Sequence, residues 1–300
     1  MAIITTGNYP KAYWPGIKQA WINYKPNEAV WDKIFDKTTS DKSYEEYLEM
    51  DTFGLIKVKP EGQAISYDSD SQGTTPRFRN VTYAGGFIVT KEAMDDCLIK
   101  EITEQRTPRL ARSAYETKEV NHANVLNNAF DTSYTMENGD GVNLCSTAHA
   151  SSKSNRLTID ADLSETSLEA LLIQINQQTN HKGIRTNIKP LSLIVPAALE
   201  YEAARITQST LQYDTANNAI NAIKTNGKLP KGVIVYKYLT DDDAWFVKTD
   251  CELGLVSQQR MSLELSRDNE FDTENLKVKC VERYAFGWVN YNGLFGSQGA

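Results

Sequence analysis

Apolar and polar residues alternate in two segments that flank a polar stretch near residue 70. Ile56 and Val58 alternate with two lysines, and residues 81–89 supply a second apolar strand pattern. Between them, residues 66–76 (SYDSDSQGTTP) contain a single large side chain, a tyrosine, and so cannot form a core. The pattern therefore predicts that residues 53–89 project as a long extended hairpin loop with a solvated tip.

A helical pattern follows the second of these segments. Thr90 is a good N-cap, and small or apolar residues recur at spacings of three and four, or sums of these, between Ala111 and Phe130. A helix over residues 90–130 would be about 60 Å long, whereas a globule of this size has a diameter of roughly 50 Å. We expect Pro108 to kink or divide this rod, and we expect the molecule to be elongated and plate-like.

The middle of the chain combines helical and strand patterns. Thr166 and Glu169 form a capping-box pattern before an amphipathic leucine stripe, and residues 191–195 are typical of a buried strand. Two further strands are predicted within residues 232–247, joined by a hairpin turn that contains three aspartates. Together these patterns predict a self-contained α+β domain over residues 140–248.

Both ends of the chain differ from this middle part. The first fifty residues carry Trp14, Trp21 and Trp31 among polar and charged residues, which provides anchors without a continuous apolar face. We expect residues 1–52 to form an arm that packs on something else. Alternation of apolar residues and lysines returns in residues 249–300 and predicts strands there.

The composition indicates a folded chain with an unusually polar surface. Only 40% of the 300 residues are hydrophobic and 24% are charged, whereas globular proteins average roughly 45–50% apolar residues. Five Trp, fifteen Tyr and nine Phe exclude a disordered chain. The balance of 32 basic against 39 acidic residues argues against binding of a phosphate backbone as the main activity.

No targeting pattern is visible in the sequence. The N-terminus lacks a basic region followed by an apolar core, so no signal peptide is expected, and the apolar stretches are far shorter than the roughly 20 residues that span a bilayer. The four cysteines are far apart, without a CxxC pair, and are expected to be reduced. We therefore expect a protein made in a cytoplasm, with no membrane partner.

Candidate catalytic and metal-binding patterns are weak. Cys145 and His149 could be a nucleophile and its base, but such pairs are normally assembled by the fold rather than by sequence adjacency, and Cys is commonly buried. The aspartates 241–243 are more typical of a solvated turn than of a cation site. No phosphate-binding glycine loop occurs. We expect no catalytic residue, metal or cofactor, and we interpret the chain as a protein that works by assembly.

Several segments, taken in order along the chain, resemble one family. They are residues 62–73, 87–96 (FIVTKEAMDD), 118–130 (KEVNHANVLNNAF), 140–149 (DGVNLCSTAH), 191–205 and 282–300. The chain resembles the major capsid (head) proteins of tailed double-stranded DNA bacteriophages, which have the HK-97-type fold, and some segments are similar to Mu-like head subunits. The resemblance covers most of the chain after residue 50.

This resemblance implies an α+β, HK-97-type capsid fold and a structural, non-enzymatic function. Copies of the chain would form hexamers and pentamers that close into an icosahedral head around phage DNA. The implied parts are an N-terminal arm (1–52), an extended hairpin loop (53–89), a spine helix with the first part of the peripheral domain (90–139), an axial domain (140–248) and the second part of the peripheral domain (249–300).

Contacts between subunits are implied for residues of the arm and of the loop. They are Trp14, Trp21, Trp31, Lys57, Lys59, Tyr67, Arg77 and Arg79. The implied partners are a scaffolding protein made separately, because only a short arm precedes the loop, a portal, a decoration protein, and packaged double-stranded DNA bound without sequence specificity. The protein would be found in the virion after assembly in the host cytoplasm.

Three further hypotheses stay open. Family members that cross-link their subunits join Lys to Asn, for which Lys57 or Lys59 and Asn290 or Asn292 are available. An encapsulin-like compartment shell would share the fold but enclose cargo enzymes instead of DNA. A cytoplasmic hydrolase would be built around Cys145 and its neighbouring histidine.

Overall fold

The computed structural model describes residues 14–24, 28–49, 53–69, 72–95, 105–149, 153–211, 220–270 and 272–300. Helices alternate there with strands that belong to two four-stranded sheets and one two-stranded sheet. The helices are α1 (Trp14–Asn23), α2 (Trp31–Ile34), α3 (Lys91–Asp95), α4 (Thr107–Asn127), α5 (Glu165–Gln177), α6 (Glu200–Gln208) and α7 (Ala222–Thr225), with a 3-10 turn at Tyr291–Gly293. The strands are β1 (Asp36–Thr39), β2 (Tyr44–Glu46), β3 (Arg77–Arg79), β4 (Val81–Val89), β5 (Pro190–Val195), β6 (Val233–Val235), β7 (Trp245–Thr249), β8 (Leu255–Asn269), β9 (Leu276–Trp288) and β10 (Leu294–Ser297).

The first sheet has the strand order β1-β8-β9-β4. Strands β8 and β9 form a long antiparallel hairpin, β4 adds antiparallel to β9, and β1 adds parallel to β8. In β9, Leu276, Val278 and Cys280 are buried while the lysines between them are more exposed. This confirms the alternation predicted for this strand, and it leaves β4 at one edge of the sheet.

Helix α4 packs across this sheet. It begins at Thr107, and Pro108 lies in its first turn. Backbone N–H groups in the first turn have no partner within the helix, so a proline there costs no helical hydrogen bond. Pro108 therefore starts the helix instead of kinking it. The 21 residues of α4 extend over about 32 Å. Residues 96–104, on which a continuous rod from Thr90 would depend, lie outside the described residues.

The second sheet has the order β10-β7-β5-β6 and carries the inserted lobe. Its buried side chains, which include Leu193, Trp245 and Phe295, pack with residues of α5 and α6. Strand β6 pairs parallel with β5, and β7 pairs antiparallel with it. The two strands predicted between residues 232 and 247 are therefore present, but they are not hairpin partners, because the buried strand β5 lies between them.

Helix α5 begins slightly earlier than the sequence pattern predicts. The hydroxyl of Ser164 accepts a hydrogen bond from the backbone N–H of Ser167, and the hydroxyl of Ser167 accepts one from the backbone N–H of Ser164. These reciprocal bonds are those of a capping box. The serine pair makes them, so the predicted pair of Thr166 and Glu169 lies inside the helix.

Strand β10 crosses the boundary predicted between residues 140–248 and residues 249–300. It pairs antiparallel with β7, and its Phe295 is buried in the core of the lobe. The lobe is therefore not self-contained within residues 140–248, because a strand from the following segment completes its sheet.

The hairpin predicted over residues 53–89 does not form within one chain. Residues 53–69 contain no strand; β4 instead pairs along its whole length with β9, and β3 pairs with β2. Pairing with β9 buries Val89 beside Leu276 and Val278. An isolated two-stranded hairpin is only marginally stable in water, so β4 joins the larger sheet.

Part of the predicted arm belongs to the core of the same chain. Trp31 is only 8% exposed and packs with Ile34 and Phe35 in a cluster that includes buried residues of α4 and of the first sheet. The chain then enters β1, which pairs with β8. The structure thus differs from the prediction that Trp31 contacts another subunit, because the ring is covered by its own chain. Residues 1–13 lie outside the described residues.

A buried ion pair joins α4 to the first sheet. Lys118 Nζ lies 2.5 Å from Glu282 Oε1, and both side chains are 8% exposed. The Lys118 ammonium also lies over the rings of Trp31 and Tyr284, at 4.8 and 4.9 Å from their centroids. Removal of one partner of such a pair leaves an uncompensated charge in the interior. Any other placement of α4 on the sheet would separate the two charges and lower the stability of the fold.

His122 lies one turn further along α4 and is packed against Trp31 and Phe286. Its Nδ1 lies 2.7 Å from the carbonyl of Lys118, and its Nε2 lies 2.8 Å from the hydroxyl of Ser257. Because a carbonyl only accepts, Nδ1 carries the proton and Nε2 accepts from the serine, which is a neutral tautomer. Burial lowers the pKa of His122 to about 4.

We predict that Lys118→Met lowers the free energy of unfolding by about 3–5 kcal/mol, because Glu282 is left buried without its cation. The double variant Lys118→Met/Glu282→Leu should recover most of this loss, since both charges are then absent. Urea unfolding of the four members of this cycle measures the coupling. Arg112→Ala breaks an exposed ion pair with Glu116 on the same helix and should change little. Equal losses in the single and double variants would contradict the prediction.

We predict that acid destabilises the subunit through His122. Between pH 6.5 and about 4 the unfolded chain takes up a proton that folded His122 does not, so stability falls as the pH falls, by at most about 1.4 kcal/mol per pH unit for this residue. Urea unfolding of the unassembled subunit over this range should give a flatter acid slope in His122→Gln. An unchanged slope in His122→Gln would refute the assignment.

Candidate assembly surfaces

Residues 53–69 present large apolar side chains to solvent. Ile56 is fully exposed, and Leu55, Val58 and Tyr67 are 78%, 93% and 88% exposed. Burial of an aliphatic side chain of this size contributes roughly 1.5–3 kcal/mol, so the exposure of several in one segment is unfavourable. Apolar surface concentrated in this way marks an interaction site.

The lysines predicted to contact other subunits lie in the same segment. Lys57 and Lys59 alternate with the exposed apolar residues and are themselves exposed. Residues 55–59 make no backbone hydrogen bond with any described residue. The segment therefore has the alternation of a strand without a strand partner.

The base of this segment is closed by Asp68. Its Oδ2 accepts hydrogen bonds from the N–H of Gly54 at 2.6 Å and from Lys182 Nζ at 2.8 Å, and Lys182 also donates to the carbonyl of Ser69. The Lys182 ammonium and the Gly54 amide lower the pKa of Asp68 to about 2. Asp68 thus ties the segment to the lobe at its base, while the tip turns at Gly62, whose φ of +76° suits glycine.

Arg77 and Arg79 engage acidic residues of their own chain. Arg77 Nε donates to Glu46 Oε1 at 2.8 Å, and its guanidinium lies 4.8 Å from the centroid of the Tyr44 ring. Arg79 donates to Glu137 at 2.6 Å. The two arginines therefore order the residues that lead into β4. A contact with a neighbouring subunit, as predicted, would compete with these ion pairs.

Helix α1 holds two of the predicted tryptophans. Trp21 is half-buried, and α1 packs against α4, where the rings of Tyr24 and Tyr115 stack at 5.8 Å. Trp14 begins the helix, and its side chain lies outside the described residues. The exposed part of the Trp21 side chain could contact another subunit. The predicted contact of Trp21 with a neighbour stays a prediction.

Cys145 and His149 are both built into the interior. Cys145 is fully buried, and burial raises the pKa of its thiol, which disfavours the thiolate that a nucleophile needs. His149 Nδ1 lies 2.6 Å from Asp140 Oδ2 and its Nε2 lies 3.0 Å from Asn155 Oδ1, while its ring stacks on Tyr291 at 4.0 Å. Both ring nitrogens therefore serve hydrogen bonds that hold neighbouring loops together.

The asparagines considered for cross-linking belong to the turn Tyr291–Gly293 and the residue before it. Asn292 is buried, and its backbone N–H donates to Asn290 Oδ1 at 2.9 Å. Asn292 therefore presents little surface to a lysine of another copy, and the Asn290 side chain is engaged in its own turn.

Among the residues that the structure describes, no group of three His, Cys, Asp or Glu side chains is placed to hold a metal ion. In the aspartate turn, Asp241 Oδ1 accepts a hydrogen bond from the backbone N–H of Asp243 at 3.1 Å, as in a local turn motif. No helix in the described ranges is long and apolar enough to cross a membrane.

Strand β4 is a surface that the sequence patterns did not single out. Its nine residues (VTYAGGFIV) include neither a charge nor a proline, although it lies at the edge of its sheet. Natural proteins usually protect a sheet edge with charges, proline or a covering segment. The sequence feature that could have indicated an exposed edge is the absence of charged residues from a predicted strand of this length.

The comparisons with known proteins agree with a shell-forming function. Residues 74–296 match the model of a family described as phage capsid protein. Three similar solved structures are the capsid of Cyanophage P-SCSP1u (TM-score 0.60, 7% identity, 92% of this chain and 89% of that chain), the capsid of the native GTA particle (0.57, 11%, 100% and 100%) and the capsid of Myoviridae phage XM1 (0.54, 10%, 100% and 99%). The chain matches none of the curated proteins with which it was compared.

The fold of this chain is that of the capsid proteins in these solved structures. The chain belongs to the phage capsid protein family, because the family match covers residues 74–296. The predicted α+β, HK-97-type fold and the predicted capsid family are therefore confirmed.

We predict that Asp68→Asn frees the segment 53–69 at its base, because the variant loses the charge that Lys182 binds. Limited proteolysis of the unassembled subunit, followed by mass spectrometry, should show cleavage within 53–69 that is about tenfold faster. Glu61→Gln, a change at the tip of the same segment, provides the matched control and should be cleaved at the wild-type rate. Equal cleavage of wild type and Asp68→Asn would show that this contact does not hold the segment.

Proposed function

We propose that this chain is the major capsid subunit of a tailed bacteriophage head, whose copies form hexamers and pentamers that close an icosahedral shell around double-stranded DNA. The family match supports a capsid protein. Capsid subunits act as copies of one chain, so the shell in the virion would be a homo-oligomer.

The observation that carries the proposal is the exposed segment 53–69. In an isolated subunit its apolar side chains are largely exposed, from 55% at Ile65 to complete exposure at Ile56. Assembly would cover them. The exposed segment would therefore contribute to the affinity between subunits, with Lys57, Lys59 and Tyr67 in the contact.

The remaining parts of the chain would take the roles that the resemblance to HK-97-type capsid proteins implies. Residues 140–248, completed by β10, would form the axial lobe at the centre of each capsomer. Helix α4 and the first sheet would form the peripheral domain. The arm, including Trp14 and Trp21, would reach a neighbouring subunit, and Arg77 and Arg79 would lie at the foot of the loop.

Assembly in the host cytoplasm would involve a scaffolding protein, a portal and a decoration protein. The packaged DNA would be held without sequence-specific contacts, and a subunit with a net charge of −7 would not hold a phosphate backbone tightly. The function would be structural and not enzymatic, which agrees with the burial of Cys145.

A compartment shell of the encapsulin type is the second candidate. It is supported by similarity to a structure described as a virus-like particle from Pyrococcus furiosus, with a TM-score of 0.50 at 9% identity over 96% of this chain and 99% of that chain. The cargo distinguishes the two candidates, because a phage head protects nucleic acid from nuclease and a compartment shell contains protein.

We predict that the purified protein, alone or with a scaffolding protein, forms closed particles. Sedimentation and negative-stain electron microscopy measure this directly. Cys145→Ala should give the same particle yield within about twofold, because this buried thiol only fills space. A chain that stays monomeric under all conditions, scaffold included, would overturn the proposed function.

A further inference from the structure

Two arginines of the first sheet each bury a nitrogen that makes no hydrogen bond. Among the described residues, Arg260 Nη1 and Arg283 Nε are shielded from solvent and have no hydrogen-bond partner. Buried polar atoms in folded proteins are nearly always paired, and each exception calls for a physical reason, such as a bound water or ion. Because a guanidinium group only donates, the partner that these nitrogens require is an acceptor.

Strand pairing places the two arginines side by side. Gln259 of β8 pairs with Tyr284 of β9, and Met261 pairs with Arg283, so Arg260 is the extra residue of a β-bulge and lies opposite Arg283 together with Met261. Like charges that face each other across a pair of strands are destabilising. The two arginines therefore repel each other at a point where the ladder of β8 and β9 is already irregular.

The arginines lie on the face of the sheet away from α4. Glu282 and Tyr284, which flank Arg283 in the strand, both contact side chains of α4, and Gln259, which precedes Arg260, donates to Glu282 on that side. Because side chains along a strand alternate between the two faces, Arg283 and Arg260 are directed to the opposite face. Both side chains are partly exposed there, so a small ligand can reach them from solvent.

Acidic residues of the chain do not balance this pair. Glu282 is bonded to Lys118 on the α4 side, and Glu264, which lies opposite Val281, leaves both buried nitrogens unpaired. Three other arginines each form an ion pair with an acidic residue three or four positions away, namely Arg112, Arg156 and Arg205. The pair in the first sheet differs from them and fits an anion that comes from outside the chain.

We propose that Arg260 and Arg283 form a binding site for a phosphate group on the face of the first sheet away from α4. Guanidinium N–H groups match the oxygens of phosphate in geometry, and hydrogen bonds between charged groups are stronger than neutral ones. A bound phosphate would cancel the repulsion between the arginines and stabilise the pairing of β8 with β9 at the bulge. The site would be present in a single subunit, so it does not depend on the proposed assembly.

Thermal unfolding of the unassembled subunit in inorganic phosphate, and in chloride of equal ionic strength, tests this site. Phosphate should raise the Tm of the wild type along a saturating curve. Arg260→Gln and Arg283→Gln should each weaken the apparent affinity for phosphate about tenfold or more, because a hydrogen bond between charged groups is lost. Arg109→Gln, at an exposed arginine of α4, is the matched control. Phosphate also stabilises folded proteins without a site, but that effect should be the same in all variants.

The order of stability provides a second readout that does not depend on how well a variant folds. In chloride without phosphate, Arg260→Gln and Arg283→Gln should be at least as stable as the wild type, because each removes the repulsion within the pair. In saturating phosphate the wild type should be the more stable protein. A variant that is less stable than the wild type by the same amount in both salts would contradict the proposal.

Parallel titrations with inorganic phosphate and with a short DNA duplex distinguish the two sources of a phosphate group. Since the subunit has a net charge of −7, we expect it to bind the small ion more strongly than the polyanion. Binding of either ligand that the double variant Arg260→Gln/Arg283→Gln abolishes supports the proposal. An equal rise of Tm in all variants overturns it. Loss of particle yield in the double variant without phosphate binding also overturns it, because an acidic group of another chain is then the partner. None of these outcomes contradicts the proposed capsid function, which depends on the formation of particles.

Discussion

The ion pair between Lys118 and Glu282 determines where helix α4 lies on the first sheet. Apolar side chains tolerate small slides of a helix, but a buried charge separated from its partner does not. Other parts of the subunit depend on this placement. Ala123 and Leu126 of α4 contribute to the core cluster that also contains residues of the second sheet, and Leu110 of the same helix lines a cavity over the first sheet together with Cys280. The placement of one helix thus affects the packing of both sheets.

The described residues divide their large apolar side chains between a buried core and an exposed segment. The lobe is densely filled around Trp245 and Phe295, whereas residues 53–69 leave Ile56 and Val58 in water. In the proposed shell, a neighbouring copy would cover these exposed side chains. Folding of one chain and assembly of several would then each bury part of the apolar surface.

Local patterns predicted many elements, because periodicity depends on neighbouring residues only. The alternation in β9, the buried strand β5 and the leucine stripe of α5 were all predicted. Pairings between distant segments were not. The transfer of β10 to the lobe sheet and the burial of Trp31 depend on contacts across the chain that no local pattern contains. Among the candidate assembly surfaces, the exposed loop was predicted from the polar residues at its tip. The edge position of β4 could not be predicted, because it depends on the order of strands in the sheet.

The position of β10 has a consequence for the synthesis of the protein on the ribosome. Strand β7 cannot receive its outer partner until residues 250–293 have been translated and residues 294–297 have emerged. Until then the site of Phe295 in the lobe is empty, and the nascent chain lacks a finished lobe. A prematurely terminated subunit would share this defect. The last residues of the chain are therefore needed to complete a sheet whose other strands, β5 to β7, lie within residues 190–249.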